Sequence, residues 1–363
     1  MKLVLTAVRF FVGGLFIFSG LIKVNDPVGT AIKMEEYFEI FSLDIAGFFH
    51  YLVPFSLAIS IFLVVIEVVL GVALLVNFKQ NWTLKSLLVI IVFFTALTGF
   101  SAITNSVTDC GCFGDAIKLT PWESFIKDLV LLAMILFLYL SQHDIQSKSA
   151  EKRSFFIVSA TLILSLGLAL YAVAHLPFID FRAYKVGNHI PTEMKPSEDF
   201  VYEYVMEKDG KEYRFENYPT DKSYQFVAMN HLNPEAAPKI TDFGVWNDDG
   251  DFTAEVFTGN KLFVILYDVS KTNETSITDI NTLIQALGDQ IEVYALTASD
   301  GTTFETFQKK VNLAIPYYYT DATVLKTITR SNPGLWLLQD GTVKGKWHYN
   351  DVPNYGELLD LVQ

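Results

Sequence analysis

Residues 9–23 read Arg9-Phe10-Phe11-Val12-Gly13-Gly14-Leu15-Phe16-Ile17-Phe18-Ser19-Gly20-Leu21-Ile22-Lys23. Crossing the hydrocarbon core takes a helix of about 20 mostly apolar residues, and the run from Leu5 to Ile22 meets that length. Gly13 and Gly20 fall two helical turns apart on one face, where small residues let another helix approach closely. Lys23 and Asp26 are expected at the outer interface, and Pro27 ends the helix because its ring cannot continue one. Phe18-Ser19-Gly20 followed by Lys23 makes a poor cleavage site, so a retained span is expected rather than a signal peptide.

The same length test, applied outward, selects four more spans. They run from about Val53 to Val76, Leu84 to Ile103, Trp122 to Leu140 and Phe155 to Leu176. Four form a group, and the fifth follows a polar linker, Ser141 to Ser154. Hydrophobic residues make up 51% of the 363-residue chain, and the mean hydropathy is +0.32. That excess sits before Pro177; beyond it, charged and small polar residues return to globular density. The net charge of −13, concentrated in the C-terminal half, argues against nucleic acid, whose phosphates need clustered Lys and Arg.

Lys and Arg distribution sets orientation. With the N-terminus in the cytoplasm, Lys2, Lys79, Lys85, Lys148, Lys152 and Arg153 all fall inside. The opposite loops hold Lys23, Lys33 and Lys118, diluted by acids. This orientation places the C-terminal half, and the loop holding Cys110 and Cys112, on the far and oxidising side, where disulfides are permitted.

Charge at membrane depth marks a partner or a site. Arg9 lies near the cytoplasmic end of the first span, where snorkelling is the plain reading. Glu67 lies in the middle of the second, within Val64-Val65-Ile66-Glu67-Val68-Val69. Its two readings are a structural hydrogen bond to a neighbouring helix and a proton relay.

The only two cysteines, Cys110 and Cys112, flank Gly111. Residues two apart in an extended strand point to opposite faces. A bent backbone, which Gly111 allows, brings them into disulfide range. Such a small ring is strained, and strain makes a disulfide an oxidant. A redox couple, a turn-locking disulfide and a pair of free thiols all remain open. Asp109 and Asp115 would raise the thiol pKa. Two sulfurs alone do not make a zinc site, and the six His residues show no ligand spacing, so no metal is expected.

The pattern Arg9…Gly13…Ser19-Gly20…Lys23…Asp26-Pro27 with a Glu in the second span resembles the DoxX family of four-helix membrane proteins. Asp109-Cys110-Gly111-Cys112-Phe113-Gly114-Asp115 resembles the MauE branch of that group, which is linked to disulfide formation in periplasmic proteins. The resemblance covers roughly residues 1–141. It implies a four-span redox-associated module, a bacterial inner-membrane location with a periplasmic C-terminal domain, and a quinone as one means of re-oxidising the cysteines.

Beyond the fifth span (142–177 with its linker), residues 178–258 read as a connector. Tyr202 to Met206 and Lys211 to Phe215 alternate around Lys208-Asp209-Gly210, a hairpin signal. Residues 259–363 then run strand (Leu262 to Tyr267), helix (Ile277 to Leu287), strand (Ile291 to Leu296), helix (Thr303 to Val311), a β-hairpin around Asp340-Gly341 and a final helix. This order resembles thioredoxin and its TlpA-like relatives. Pro333 matches that family's cis-proline. The family's cysteines would follow the first strand, where this chain has Asp268-Val269-Ser270-Lys271-Thr272-Asn273-Glu274. Thiol exchange by the domain itself is therefore excluded. What the resemblance leaves is a binding platform, with Pro333 and Trp336 as expected partner contacts.

The fold expected is thus an α-helical membrane bundle of four spans plus a fifth, followed by an α/β thioredoxin-like domain. Two functions compete. In one, Cys110 and Cys112 exchange electrons with envelope clients positioned by the cysteine-free domain. In the other, the chain is a non-enzymatic scaffold or assembly subunit of an envelope complex.

Overall fold

The computed structural model describes residues 2–107, 111–142, 151–288 and 290–363. The chain forms two compact units, Met1–Phe181 and Arg182–Gln363.

The first unit is helical: α1 (Lys2–Asn25), α2 (Pro27–Asp44), α3 (Ser56–Leu75), α4 (Gln80–Thr104), α5 (Pro121–Leu140) and α6 (Glu151–Ala174). Among the described residues, four stretches are long and apolar enough to cross a membrane: Lys2–Asn25, Gly47–Leu75, Gln80–Thr104 and Glu151–Ala174. The expected fourth span, α5, is 20 residues long but falls outside that set. Glu123, Lys127 and Asp128 lie in its first half, and its apolar residues begin in earnest at Leu129. Its second half joins the bundle core, where Leu131, Ile135 and Leu138 pack with Leu5, Val12, Leu70, Leu84 and Ile91. The outer surface stays apolar: Phe62, Val89, Phe156 and Ile163 are all more than half exposed. Water penalises such a surface and lipid does not, so this unit is a membrane module.

Gly13 and Gly20 act as their spacing predicts. A Cβ on Gly20 would stand 2.6 Å from Val68 Cγ2, and one on Gly13 2.6 Å from Leu75 Cδ2. The contact is reciprocal, since a Cβ on Gly71 of α3 would meet the Gly13 carbonyl oxygen at 2.8 Å. Pro27 does end α1, and it also opens a helix absent from the sequence reading. Asp26 caps α2 by accepting from the Gly29 N–H at 2.8 Å, with Pro27 in the first turn, where its missing N–H costs nothing.

The second unit holds two sheets. Strands β1 (Tyr202–Lys208), β2 (Lys211–Phe215) and β3 (Gln225–His231) form a three-stranded antiparallel sheet in the order β2-β1-β3. The larger sheet comprises β4 (Trp246–Asn247), β5 (Gly250–Asp251), β6 (Asn260–Leu266), β7 (Glu292–Thr297), β8 (Tyr317–Tyr319), β9 (Gly334–Gln339) and β10 (Thr342–His348). Its order is β10-β9-β6-β7-β8-β4-β5, with β6–β7 and β7–β8 parallel. The helices are a single turn α7 (Ile190–Glu193), then α8 (Ile277–Leu287), α9 (Gly301–Val311), α10 (Ala322–Ile328) and α11 (Tyr355–Val362).

Side chains alternate across a strand, and both faces of this sheet are covered. Leu262, Val264 and Leu266 of β6 pack with α8, α9 and α11. Phe263 and Ile265 point the other way, onto α10 and onto Tyr184, Ile190, Phe243 and Val256 from the preceding segment. That is why β6 reads as an unbroken apolar run. The segment expected as a connector therefore supplies one wall of the same core. The α/β order, the mixed sheet and a cis Asn332–Pro333 bond give this unit a thioredoxin-like fold.

Candidate functional site

Cys112 lies in a tight turn between α4 and α5. Gly111 has φ 64° and Gly114 φ 51°, a region that costs glycine little. The Gly114 N–H donates to the Gly111 carbonyl at 3.0 Å, and Phe113 bridges to Ile117. The turn rests on α1: Ser19 Oγ donates to the Cys112 carbonyl at 2.9 Å, and the rings of Phe18 and Phe113 lie 5.9 Å apart. Cys110 and Asp109, both singled out in the sequence, lie outside the described residues, as does Lys148 of the linker.

Beneath the turn, four helices contribute polar side chains to a buried cluster. From α1 and α3, Lys23 Nζ meets Glu67 Oε2 at 2.6 Å, and Ser19 Oγ lies 2.7 Å from Glu67 Oε1. Lys23 also sits over the Phe94 ring of α4, 5.0 Å from its centroid. From α4 and α5, Thr98 Oγ1 donates to Asp128 Oδ2 at 3.0 Å, and Lys127 Nζ meets Asp128 Oδ1 at 2.5 Å. Lys127 stands 5.4 Å from the centroid of Phe113, the neighbour of Cys112. Ser124, one turn before Asp128, is wholly buried, and its Oγ has no hydrogen-bond partner among the described residues at ordinary geometry.

Lys23, expected at the interface, is buried and paired with Glu67 inside the bundle. Arg9, far from this cluster, donates through Nη1 to Asn77 Oδ1 beyond α3 and is half-buried. Burial pushes the Cys112 thiol up; Lys127 and Lys23 oppose that, Asp128 adds to it and Ser124 opposes it. The direction matches the sequence reading, with burial the first cause and Asp128 adding to it. Among the described residues, no group of three or more His, Cys, Asp or Glu gathers for a metal ion.

In the second unit, the segment standing where thioredoxin cysteines would be is tied to the cis-proline loop. Asn332 Nδ2 donates to the Asp268 carbonyl at 2.7 Å, Thr272 Oγ1 donates to Asn332 Oδ1 at 3.1 Å, and the Asn273 N–H donates to the Asn332 carbonyl at 3.0 Å. Pro333 is buried and Trp336 has no exposed surface. The expected partner contacts at Pro333 and Trp336 are thereby corrected. Trp336 alternates inward on β9 and packs against Tyr184, Phe243 and Phe263.

Sequence comparison gives the first unit a relative. Residues 1–141 match the family model of the methylamine utilisation protein MauE. Residues 200–231, the three-stranded sheet, match a model described as a domain of unknown function (DUF8463). Protein TlpB of Flavobacterium psychrophilum is 28% identical over 185 residues, covering 50% of this chain and 48% of that protein. The chain thus spans about half the length of the curated relative it matches. No solved structure matches.

In the MauE-like module, sequence reasoning found Glu67, Lys23 and Cys112 but overlooked Thr98, Ser124, Lys127 and Asp128. The signal was present: Ser124 and Asp128 are spaced i, i+4 and share a helix face, inside a segment otherwise apolar enough to read as a span.

Proposed function

We propose that this chain is a redox-associated protein of the bacterial cell envelope, in which Cys110 and Cys112 of the MauE-like module cycle between dithiol and disulfide. The observation that carries this reading is the setting of Cys112. Its thiol is buried within electrostatic reach of Lys127, Asp128 and Lys23, with the Ser124 hydroxyl near it. Buried structural cysteines ordinarily lie among apolar groups and are inert. A client dithiol would pass two electrons and two protons to the disulfide. The resulting Cys110–Cys112 dithiol would pass them to an acceptor of the quinone class in the bilayer, leaving a quinol. The Lys and Arg bias supports a cytoplasmic N-terminus, with the cysteine loop and the second unit in the periplasm. The second unit, without cysteines, would bind the client by a surface other than Pro333 and Trp336.

Thiol trapping of both cysteines in intact cells, followed by a redox titration of the purified protein, tests this. A pair that cycles near the potential of envelope oxidants supports the reading. A pair that stays locked, or a Cys110→Ser/Cys112→Ser double variant with an intact cell phenotype, overturns it. The scaffold reading would then stand, favoured by the closed cis-proline loop of the second unit.

A further inference from the structure

Ser19 stands between two groups that compete for its one proton. Its Oγ lies 2.7 Å from Glu67 Oε1 and 2.9 Å from the Cys112 carbonyl oxygen, and both are full-strength lengths for an O–H···O bond. A hydroxyl has a single proton to donate, whereas a carbonyl and an ionised carboxylate can only accept. With Glu67 ionised, one of the two contacts is therefore a pair of oxygens with no proton between them. Ser19 and Glu67 are both buried, where a bond left unmade is costly.

The Glu67 side of this contact is fixed. Gly20, the neighbour of Ser19, brings α1 so close to α3 that a Cβ on it would stand 3.0 Å from the Val68 backbone nitrogen, and Lys23 holds Glu67 Oε2 at 2.6 Å. The Cys112 side is a turn built on two glycines of positive φ, Gly111 and Gly114, so the turn is the part that can move. Charge near Glu67 comes from few places. Helix α1 supplies Lys23. Helix α5 supplies Lys127, within electrostatic reach of Glu67, and Asp128, held by Lys127 and Thr98; its Glu123 caps its own helix. Helix α2 carries Lys33, Glu35, Glu36 and Glu39, with Lys33 and Glu36 paired at 3.1 Å. Helices α4 and α6 carry charge only in their first two turns, and Asp115 belongs to the turn itself.

We propose that Ser19 and Glu67 form a proton-operated latch that positions Cys112. When Glu67 takes up a proton from solvent, its Oε1–H donates to Ser19 Oγ, and the Ser19 O–H donates to the Cys112 carbonyl. Three oxygens then share two protons, and both contacts are made. When Glu67 returns the proton, Ser19 donates to the carboxylate, the carbonyl loses its donor and the turn is released. Lys23 opposes the uptake, because its ammonium loses a counter-charge while keeping its bond to Oε2 and its seat over the Phe94 ring; the two completed hydrogen bonds favour it. Proton binding at Glu67 and the position of the turn are thereby linked, and such linkage is reciprocal. Neither thiol takes part, so the latch goes beyond the redox reading and does not rest on it. Ser19 and Glu67 are positioning residues: they set the pose in which Cys112 is presented.

The test is the pH dependence of turn mobility, read by electron paramagnetic resonance from a nitroxide on Ile117→Cys, an exposed position bridged to Phe113. The protein is full-length, in detergent, and carries Cys110→Ala and Cys112→Ala, so the outcome is independent of any redox chemistry. The labelled protein is expected to pass from an immobilised to a mobile spectrum as pH rises. Adding Glu67→Gln, whose amide donates to Ser19 as the carboxylic acid does, is expected to hold it immobilised at every pH. Adding Ser19→Ala is expected to leave it mobile at every pH; a serine of merely structural role would leave the transition in place. A spectrum that does not change with pH while the labelled protein stays folded overturns the proposal, as does a transition that survives in either variant. Should Glu67→Gln fail to fold, the presence or loss of the transition in Ser19→Ala decides.

Discussion

Lys23 and Glu67 meet across the α1–α3 contact, Nζ to Oε2 at 2.6 Å, with both side chains almost fully removed from solvent. Neither charge belongs in hydrocarbon alone, and each is tolerable because the other is there.

Removing one partner should therefore cost more than removing both. Lys23→Met or Glu67→Met alone is expected to destabilise the purified protein by about 3–5 kcal/mol, because a buried charge is left uncompensated. The double substitution should recover most of that loss. Denaturant unfolding in detergent measures all three. Single variants no worse than the double one would show that the pair is energetically independent.

The glycine contact gives a matched pair of variants. Gly71→Val puts side chain where the Gly13 carbonyl and Ile17 already stand, and is expected to cost about 1–3 kcal/mol through overpacking. Gly14→Val, with nothing within 4 Å of its Cβ, should stay within about 0.5 kcal/mol of the parent. Equal melting temperatures for the two variants would contradict the packing described.

Asn332→Ala removes two side-chain hydrogen bonds to the 268–272 segment. The expected loss is about 0.5–1.5 kcal/mol, since the Asp268 carbonyl and the Thr272 hydroxyl each lose one partner but stay bonded to each other at 3.0 Å. The effect should be local. Amide hydrogen exchange should quicken in residues 269–273 and stay unchanged in β6. Uniform quickening would mean that the segment is no separate stitch.

Alkaline pH should weaken the second unit through Tyr294. Burial and a 2.8 Å bond to the Glu292 carboxylate hold its hydroxyl up to about 12. Above the ordinary tyrosine value of about 10, the unfolded chain loses this proton while the folded chain keeps it. The unfolded state then binds fewer protons, and stability falls as pH rises from about 10 to 12. Tyr294→Phe should flatten that decline. Melting curves of the full-length protein from pH 8 to 12 read it, and an unchanged slope in the variant would exclude Tyr294 as a contributor.

Much of this fold was legible because length and period are properties of a single segment. The apolar runs gave α1, α3, α4, α5 and α6, and the alternation around Asp209-Gly210 gave β1 and β2. What escaped needed tertiary context. Helix α2 carries Glu35, Glu36 and Glu39 among apolar residues, and reads as a charged loop until Asp26 is seen capping it. Strand β3 is mostly exposed and makes sense only beside β1. Helix α10, seven residues long, is too short for a period to emerge. The site divides in the same way. Cys112 and Glu67 announce themselves by type and place, whereas Lys127 and Asp128 hide within a stretch whose average is apolar. Trp336 was misassigned because an aromatic after a cis-proline looks like a contact residue, while its inward register on β9 is set by neighbours far away in sequence.

The stitch between Asn332 and residues 268–273 is built from amides, a hydroxyl and carbonyl oxygens, none of which an oxidant or a reductant changes. Both cysteines of the chain belong to the other unit. The second unit is accordingly redox-blind: its shape is the same in a reducing cytoplasm and an oxidising envelope.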